Sequence, residues 1–184
     1  FVCFGDSLTY GYGVTAGKVW HQLLKEKMNI SIINRGSNGD SLLGMQIRIS
    51  RDILESGADI CLFMAGSNDL MMGKSLDEVY NGIVRIKERI LERGIKTIII
   101  SPPPAIPEMA KISWDSYPDY EDFNEKLKGL SERFNKKCPN EFINAFGKFM
   151  ELSDLERKKL YLDGIHLNEE GNEFLGHIVQ AGIL

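Results

Sequence analysis

FVCFGDSLTYGY, residues 1–12, decides how the rest of the chain is read. Four apolar, β-favouring residues run into Gly5-Asp6-Ser7 and then into residues spaced by Gly11 and Gly13. This is the pattern of a buried strand that stops at a hydroxyl, with the glycines marking a loop beyond it. A serine hydroxyl is inert by itself. A nucleophilic Ser7 therefore needs a base, a group to orient that base, and donors for a developing oxyanion, all from elsewhere in the chain.

Further along, the same alternation repeats. Lys18 to Met28 carries apolar residues at helical spacing, and Ile30 to Ile33 is a β-branched run ending a second strand near Asn34. A loop, Arg35 to Asp40, leads to a helical pattern from Leu42 that stops at Gly57. Ala58 to Ala65 is the third strand, and its run Ile60 to Met64 is continuously apolar, as expected of a strand covered on both faces. Ser75-Leu76-Asp77-Glu78 fits a capping box at the head of a helix ending at Gly94. Thr97 to Ile100 is a fourth strand, halted by Pro102-Pro103-Pro104. Residues 105–119 are expected to be an irregular binding loop, followed by a helix near 120–137 and a fifth strand over 142–146. A short helix from Ser153 and a last one after Asn168 complete the chain. Strand and helix in alternation imply parallel strands with right-handed crossovers, a three-layer α/β/α architecture. Ligands of such sheets gather beyond the carboxyl ends of the strands, where the polar, glycine-rich segments here fall.

Composition bounds the rest. At 184 residues and 43% hydrophobic content the chain is expected to form a single domain, residues 1–184. A net charge of −4 without a Lys/Arg block argues against a nucleic-acid or anionic-membrane partner. Cys3, Cys61 and Cys138 give neither a disulfide framework nor zinc spacing. No apolar run approaches the roughly 20 residues of a spanning helix. Cytoplasmic is the default expectation. The chain begins inside a strand at Phe1 without an initiator Met, so a segment ahead of it, including a removed signal peptide, stays open. Oligomeric state is unreadable.

Asp163-Gly164-Ile165-His166 supplies the other half of the chemistry. It sets an imidazole three positions after a carboxylate, close enough to share one tight turn. A carboxylate on Nδ1 fixes the tautomer and stabilises the imidazolium formed when Nε2 takes a proton. His21 and His177 fall on predicted helices without a paired acid and read as structural. Gly39 and Asn68 are candidate oxyanion donors, through a backbone N–H and a side-chain amide respectively, although each alone reads as turn chemistry.

Together, Gly5-Asp6-Ser7-Leu8-Thr9, Asn34 to Ser41, Gly66-Ser67-Asn68-Asp69 and Asp163 to His166 resemble the four blocks of the SGNH hydrolases, the GDSL-type esterases and lipases. The resemblance spans nearly the whole chain. It implies Ser7 as nucleophile, His166 as base and Asp163 as its orienting acid. It also implies oxyanion donors on Ser7, Gly39 and Asn68, a five-stranded parallel sheet in the flavodoxin-like order 2-1-3-4-5, and no cofactor or required metal. The implied partner is a small-molecule ester. Family members act on carboxylic esters, thioesters, lysophospholipids and acetylated sugars, and the short loops here favour short acyl groups. Lysophospholipase or thioesterase activity is the alternative.

No Gly-x-Ser-x-Gly elbow occurs, so the larger α/β-hydrolase family is not supported. Gly11 to Ala16 formally matches a dinucleotide fingerprint, but it lies well past its strand. The second strand also closes on Asn34-Arg35 where a ribose-binding acid belongs. A flavin-binding module of flavodoxin type shares the strand order and is the binding-protein alternative. A hydrolase-shaped protein without turnover is a further one, against which the intact Ser7, Asp163 and His166 argue. Met71, Met72, Ile106, Met109, Trp114 and Tyr117 are apolar residues in or beside strand-end loops and are candidates for a substrate pocket.

Overall fold

The computed structural model describes residues 1–114 and 119–184. Five parallel strands, β1 (Val2–Gly5), β2 (Ile33–Gly36), β3 (Ile60–Met64), β4 (Lys96–Ile100) and β5 (Phe142–Ile143), form one sheet in the order β2-β1-β3-β4-β5. This is the expected strand order. The first strand of the chain is therefore interior to the sheet, flanked by β2 and β3.

Alternate residues of a strand face opposite sides, and the core divides accordingly. Val2, Phe4, Cys61, Phe63, Ile99 and Phe142 point to one face. There they pack against α3 (Leu42–Ile49), α5 (Leu76–Leu91) and α7 (Tyr120–Lys137). Cys3, Leu62, Met64, Ile98, Ile100 and Ile143 point to the other, against α2 (Trp20–Met28), α8 (Ala145–Met150) and α10 (Glu169–Ile183). Helix α5 owes its start to the predicted capping box, with Ser75 and Glu78 bonding each other's backbone N–H.

Several boundaries differ from the sequence reading, each for a local reason. Ser7 does not sit in an open loop but begins a helical turn, α1 (Ser7–Tyr10), because the Asp6 carboxylate caps it by accepting from Leu8 N at 3.0 Å. Strand β2 starts three residues later than the β-branched run, at Ile33, whose N–H meets Phe1 O at 3.0 Å. The helix from Leu42 loosens into a wide turn over Ser50–Leu54 before Gly57. Pro107 opens α6 (Pro107–Ser113) inside the stretch expected to be irregular; proline at the first helical position loses nothing. Strand β5 stops after two residues because Asn144 caps α8, its side chain accepting from Gly147 N at 2.9 Å.

Between these come α4 (Ser67–Met71), directly after β3, and α9 (Asp154–Lys158), headed by a second capping box from Ser153 and Glu156. Among the described residues, no helix is long and apolar enough to cross a membrane.

Candidate active site

The carboxyl ends of β1, β2 and β3 and the loop before α10 converge on one cleft. Ser7 is the first residue of α1, and its Oγ lies 2.9 Å from His166 Nε2 although the two are 159 positions apart. On the far side of the ring, Nδ1 is 2.8 Å from Asp163 Oδ2. A carboxylate only accepts, so Nδ1 carries the proton and Nε2 is left with its lone pair towards the serine hydroxyl. Ser7 is 9% and His166 7% exposed.

The Asp163 loop is held from several directions. Asp163 Oδ1 accepts from Ile165 N at 2.9 Å and His166 N at 2.7 Å, so one side chain builds the turn and orients the ring. Burial pushes the Asp163 carboxyl up, but its hydrogen bonds from the His166 ring and from the His166 and Ile165 amides together outweigh that and hold it below its ordinary value. Gly164 O accepts from Ile106 N at 2.7 Å. The backbone approaches so closely here that a Cβ on Gly164 would lie 2.4 Å from Ala110 N.

Two more groups fix α1. Trp20 Nε1 donates to Leu8 O at 3.1 Å, and His21 Nε2 donates to Thr9 O at 3.1 Å. Asn172 then links this clamp to the base. Its Oδ1 accepts from Trp20 N at 3.2 Å, while its Nδ2 donates to Leu167 O at 3.2 Å and Asn168 O at 3.0 Å. Burial drives the His21 pKa down to about 4, opposed by its bond to Thr9, so at neutral pH the ring is uncharged. Asp6 is 1% exposed, and burial raises its pKa to about 6 against the pull of the Leu8 amide and of His166. Asp6 Oδ2 and Ser67 Oγ are both buried, and the Ser67 hydroxyl also favours the charged Asp6 carboxylate.

The oxyanion candidates lie on the same cleft. As the first residue of α1, Ser7 has an N–H with no intrahelical acceptor. Gly39 adopts φ +70°, and Asn68 is the second residue of α4. Asn68 Nδ2 donates to Asp40 O at 2.9 Å; an amide nitrogen carries two protons, and the second is available to the cleft. Arg48 braces this region. Its guanidinium bonds Asp40 Oδ2 at 2.6 Å, Asp52 Oδ2 at 2.8 Å, Arg35 O at 2.9 Å and Gly5 O at 3.0 Å, and it lies over the Phe4 ring at 4.5 Å. One cation thus joins the end of β1, the end of β2 and the loop bearing Gly39. Asp69, fully buried, accepts from Leu42 N at 2.9 Å and pairs with Lys74, tying α4 to α3.

A cavity of about 740 Å³ opens over Ser7, bordered by Gly39, Asn68 and His166. Of the apolar candidates, Met71, Met72 and Trp114 line it. Ile106 does not: its side chain is 3% exposed within the core, and its contribution is the backbone bond to Gly164. Met109 likewise packs, partly buried, against the core on the α10 side. Tyr117 lies outside the described residues. Tyr12, Tyr120 and Ile165 line the cavity and were not singled out from the sequence. Tyr12 was the most findable, an aromatic residue in a glycine-spaced loop five positions after Ser7. Among the described residues, no three His, Cys, Asp or Glu side chains are grouped so as to hold a metal ion.

Comparison with known proteins places this geometry in context. Residues 3–174 match the model of the GDSL-like lipase/acylhydrolase family. The chain is 24% identical over 198 residues to the uncharacterized lipoprotein YqeF of Bacillus subtilis strain 168, covering all of this chain and 79% of that protein. Among solved structures it resembles a lipase/acylhydrolase from Enterococcus faecalis, with TM-score 0.81 and 22% identity over 99% of this chain and 93% of the other. It also resembles a member of the lipolytic protein G-D-S-L family from Veillonella parvula DSM 2008, with TM-score 0.78 and 23% identity over 98% and 95%.

Proposed function

The chain belongs to the GDSL-like lipase/acylhydrolase family and is a hydrolase acting on ester bonds, and from that premise we propose that it is a serine esterase working through an acyl-enzyme on small carboxylic esters. The observation that carries this is the relay from Ser7 Oγ through His166 to Asp163, with links of 2.9 and 2.8 Å, opening directly into an apolar cleft.

In the proposed mechanism Ser7 Oγ attacks the ester carbonyl while His166 Nε2 takes its proton. The tetrahedral oxyanion is held by the N–H groups of Ser7 and Gly39 and the free amide proton of Asn68. His166 passes its proton to the leaving alcohol oxygen as the C–O bond breaks, leaving the acyl group on Ser7. Water then attacks the acyl carbonyl, giving a proton to Nε2, which returns it to Ser7 Oγ as the carboxylic acid departs. Asp163 keeps its charge throughout and stabilises the imidazolium.

The preference for short acyl groups rests on the shape of the cleft. Met72 is 63% exposed, so the wall it forms leaves a long chain partly in water, and each CH₂ gains its full burial of about 0.8 kcal/mol only where it is enclosed. The cavity volume of about 740 Å³ favours a second reading, a lysophospholipase or thioesterase with a longer acyl group.

Two measurements test these claims. Ser7→Ala should fold, lose labelling by a fluorophosphonate probe and lose about 10⁴-fold or more in kcat. Near-wild-type hydrolysis by that variant would remove Ser7 from the mechanism. A panel of oxygen esters and thioesters of increasing acyl length should give an optimum at about two to six carbons, and an optimum at long chains or on thioesters would move the assignment to the second reading.

A further inference from the structure

Three rings meet at the edge of the cleft, and the proposed reaction gives their position a meaning. The Tyr12 ring centroid is 4.3 Å from that of His166 at an interplanar angle of 37°, and Trp114 is 5.4 Å from His166 and 6.1 Å from Tyr12. The two aromatic residues come from separate elements, the loop after α1 and the end of α6. Both line the cavity, and both are well exposed, Tyr12 at 39% and Trp114 at 50%. Neither is needed to fill the core.

The chemistry at His166 fixes which part of a substrate meets them. The proton on Nε2 must reach the leaving oxygen, so that oxygen comes within about 3 Å of Nε2 in the transition state. The first carbons of the alcohol beyond it then lie against whatever borders the imidazole, which is Tyr12 and Trp114. In the proposed mechanism the carbonyl oxygen is taken by the donors on Ser7, Gly39 and Asn68. The acyl chain takes the remaining direction, for which Met71 and Met72, following Asn68 at the end of α4, provide an apolar wall.

We propose that Tyr12 and Trp114 form an alcohol subsite selecting esters whose alcohol carries a ring, aromatic or saturated, over esters of acyclic alcohols. The proposal rests on the serine-esterase reading and deepens it. Aromatic faces favour offset or edge-on contact with another ring, or with the C–H face of a saturated one. A flexible chain must also lose rotational freedom to lie along the same surface. The methionine wall is adaptable and makes no such distinction.

The alcohol departs before water attacks, which gives the experiment its discrimination. Benzyl, cyclohexylmethyl and n-hexyl acetates share one acyl group and are all esters of primary alcohols, so their acetyl-enzyme is the same. For the wild-type protein, kcat/KM should be higher for the two ring-bearing esters than for the hexyl ester, and the order of the two tells an aromatic from a saturated preference. Trp114→Leu and Tyr12→Leu should lower the ring-to-chain ratio of kcat/KM about three- to tenfold. The rate constant for hydrolysis of the acetyl-enzyme should stay within about twofold, and Trp114→Phe should restore most of the ratio.

Equal losses on all three esters, or deacylation slowed as much as acylation, would overturn the subsite and make the rings positioning groups for His166. Failure of the underlying reading looks different: a wild-type protein that neither accumulates an acetyl-enzyme nor reacts with the fluorophosphonate removes the reading and the subsite together.

Discussion

Asn68 has two tasks for one side chain. It bridges to Asp40 O, which fixes the amide plane, and in the proposed mechanism it is the oxyanion donor that can be removed without touching the backbone. Asn68→Ala is expected to lower kcat about 10²- to 10³-fold with KM much less affected, measured on the preferred acetate. Gly39 tests the same hole differently. A Cβ there would meet nothing within 4 Å, but φ is +70°, so Gly39→Ala strains the backbone by about 1 kcal/mol and turns its N–H. Its loss should appear in kcat while the fold persists, as followed by circular dichroism. That Ser7, Gly39, Asn68 and His166 border one cleft was legible in the sequence only from the four blocks taken together, since Gly39 and Asn68 singly read as turn chemistry. Tyr12 and Tyr120 were not, since an aromatic residue beside a cleft and one in the core look alike until the chain is folded. Ile106 erred in the opposite direction: it lies next to the cleft in sequence, but its side chain turns into the core and only its N–H serves the site.

Between elements, Ser7 and His166 are held in register by α2 and α10 rather than by contact alone. Trp20 holds Leu8 O, and Asn172 holds both Trp20 N and the backbone after His166. Trp20→Phe deletes the donor and keeps an aromatic ring, at the cost of a small void in the core. It is expected to leave a buried carbonyl unpaired, cost about 1–3 kcal/mol of stability in urea titrations, and lower kcat more than it raises KM. A variant with the stability loss but unchanged kcat would show that the bond holds the helix and not the serine. Nothing in the pattern of residues 18–28 announces this role, because a hydrogen bond from an indole to a distant carbonyl leaves no periodicity. The helix itself was legible from its apolar spacing. The strands were legible too, though their ends were set by pairing: β2 begins where β1 offers Phe1 O, not where the isoleucines begin. Helix α6 was hidden by its prolines, which read as loop although Pro107 stands at a position that suits it.

At the scale of the whole molecule, two buried groups on either side of Ser7 bend the pH dependence of stability in opposite directions. The Asp6 pKa rises on folding to about 6. As pH falls from 6 towards its unfolded value near 4, the native state takes up a proton that the unfolded chain does not, and folding gains. The His21 pKa falls on folding to about 4. As pH drops from about 6.5 to 4 the unfolded chain binds a proton that the native ring refuses, and folding loses. Each contribution is of order 3 kcal/mol, so between them the stability should change little over that interval. Asp6→Asn, which keeps the cap on Leu8 N, should expose the His21 loss as a fall in urea midpoint from pH 6.5 to 4. His21→Gln should expose the Asp6 gain as a rise. Parallel curves for wild type and both variants would mean that neither group titrates as its surroundings demand.

The 159 positions between Ser7 and His166 also order events in time. Strand β1, which leads into Ser7, is synthesised well before the loop that carries His166. The link from α1 to the His166 loop runs through Trp20 and is closed only by Asn172 of α10. A nascent polypeptide can complete most of the sheet and still be chemically silent. In a refolding experiment, recovery of ester hydrolysis would therefore mark the docking of α10, the moment at which two distant segments become a single instrument.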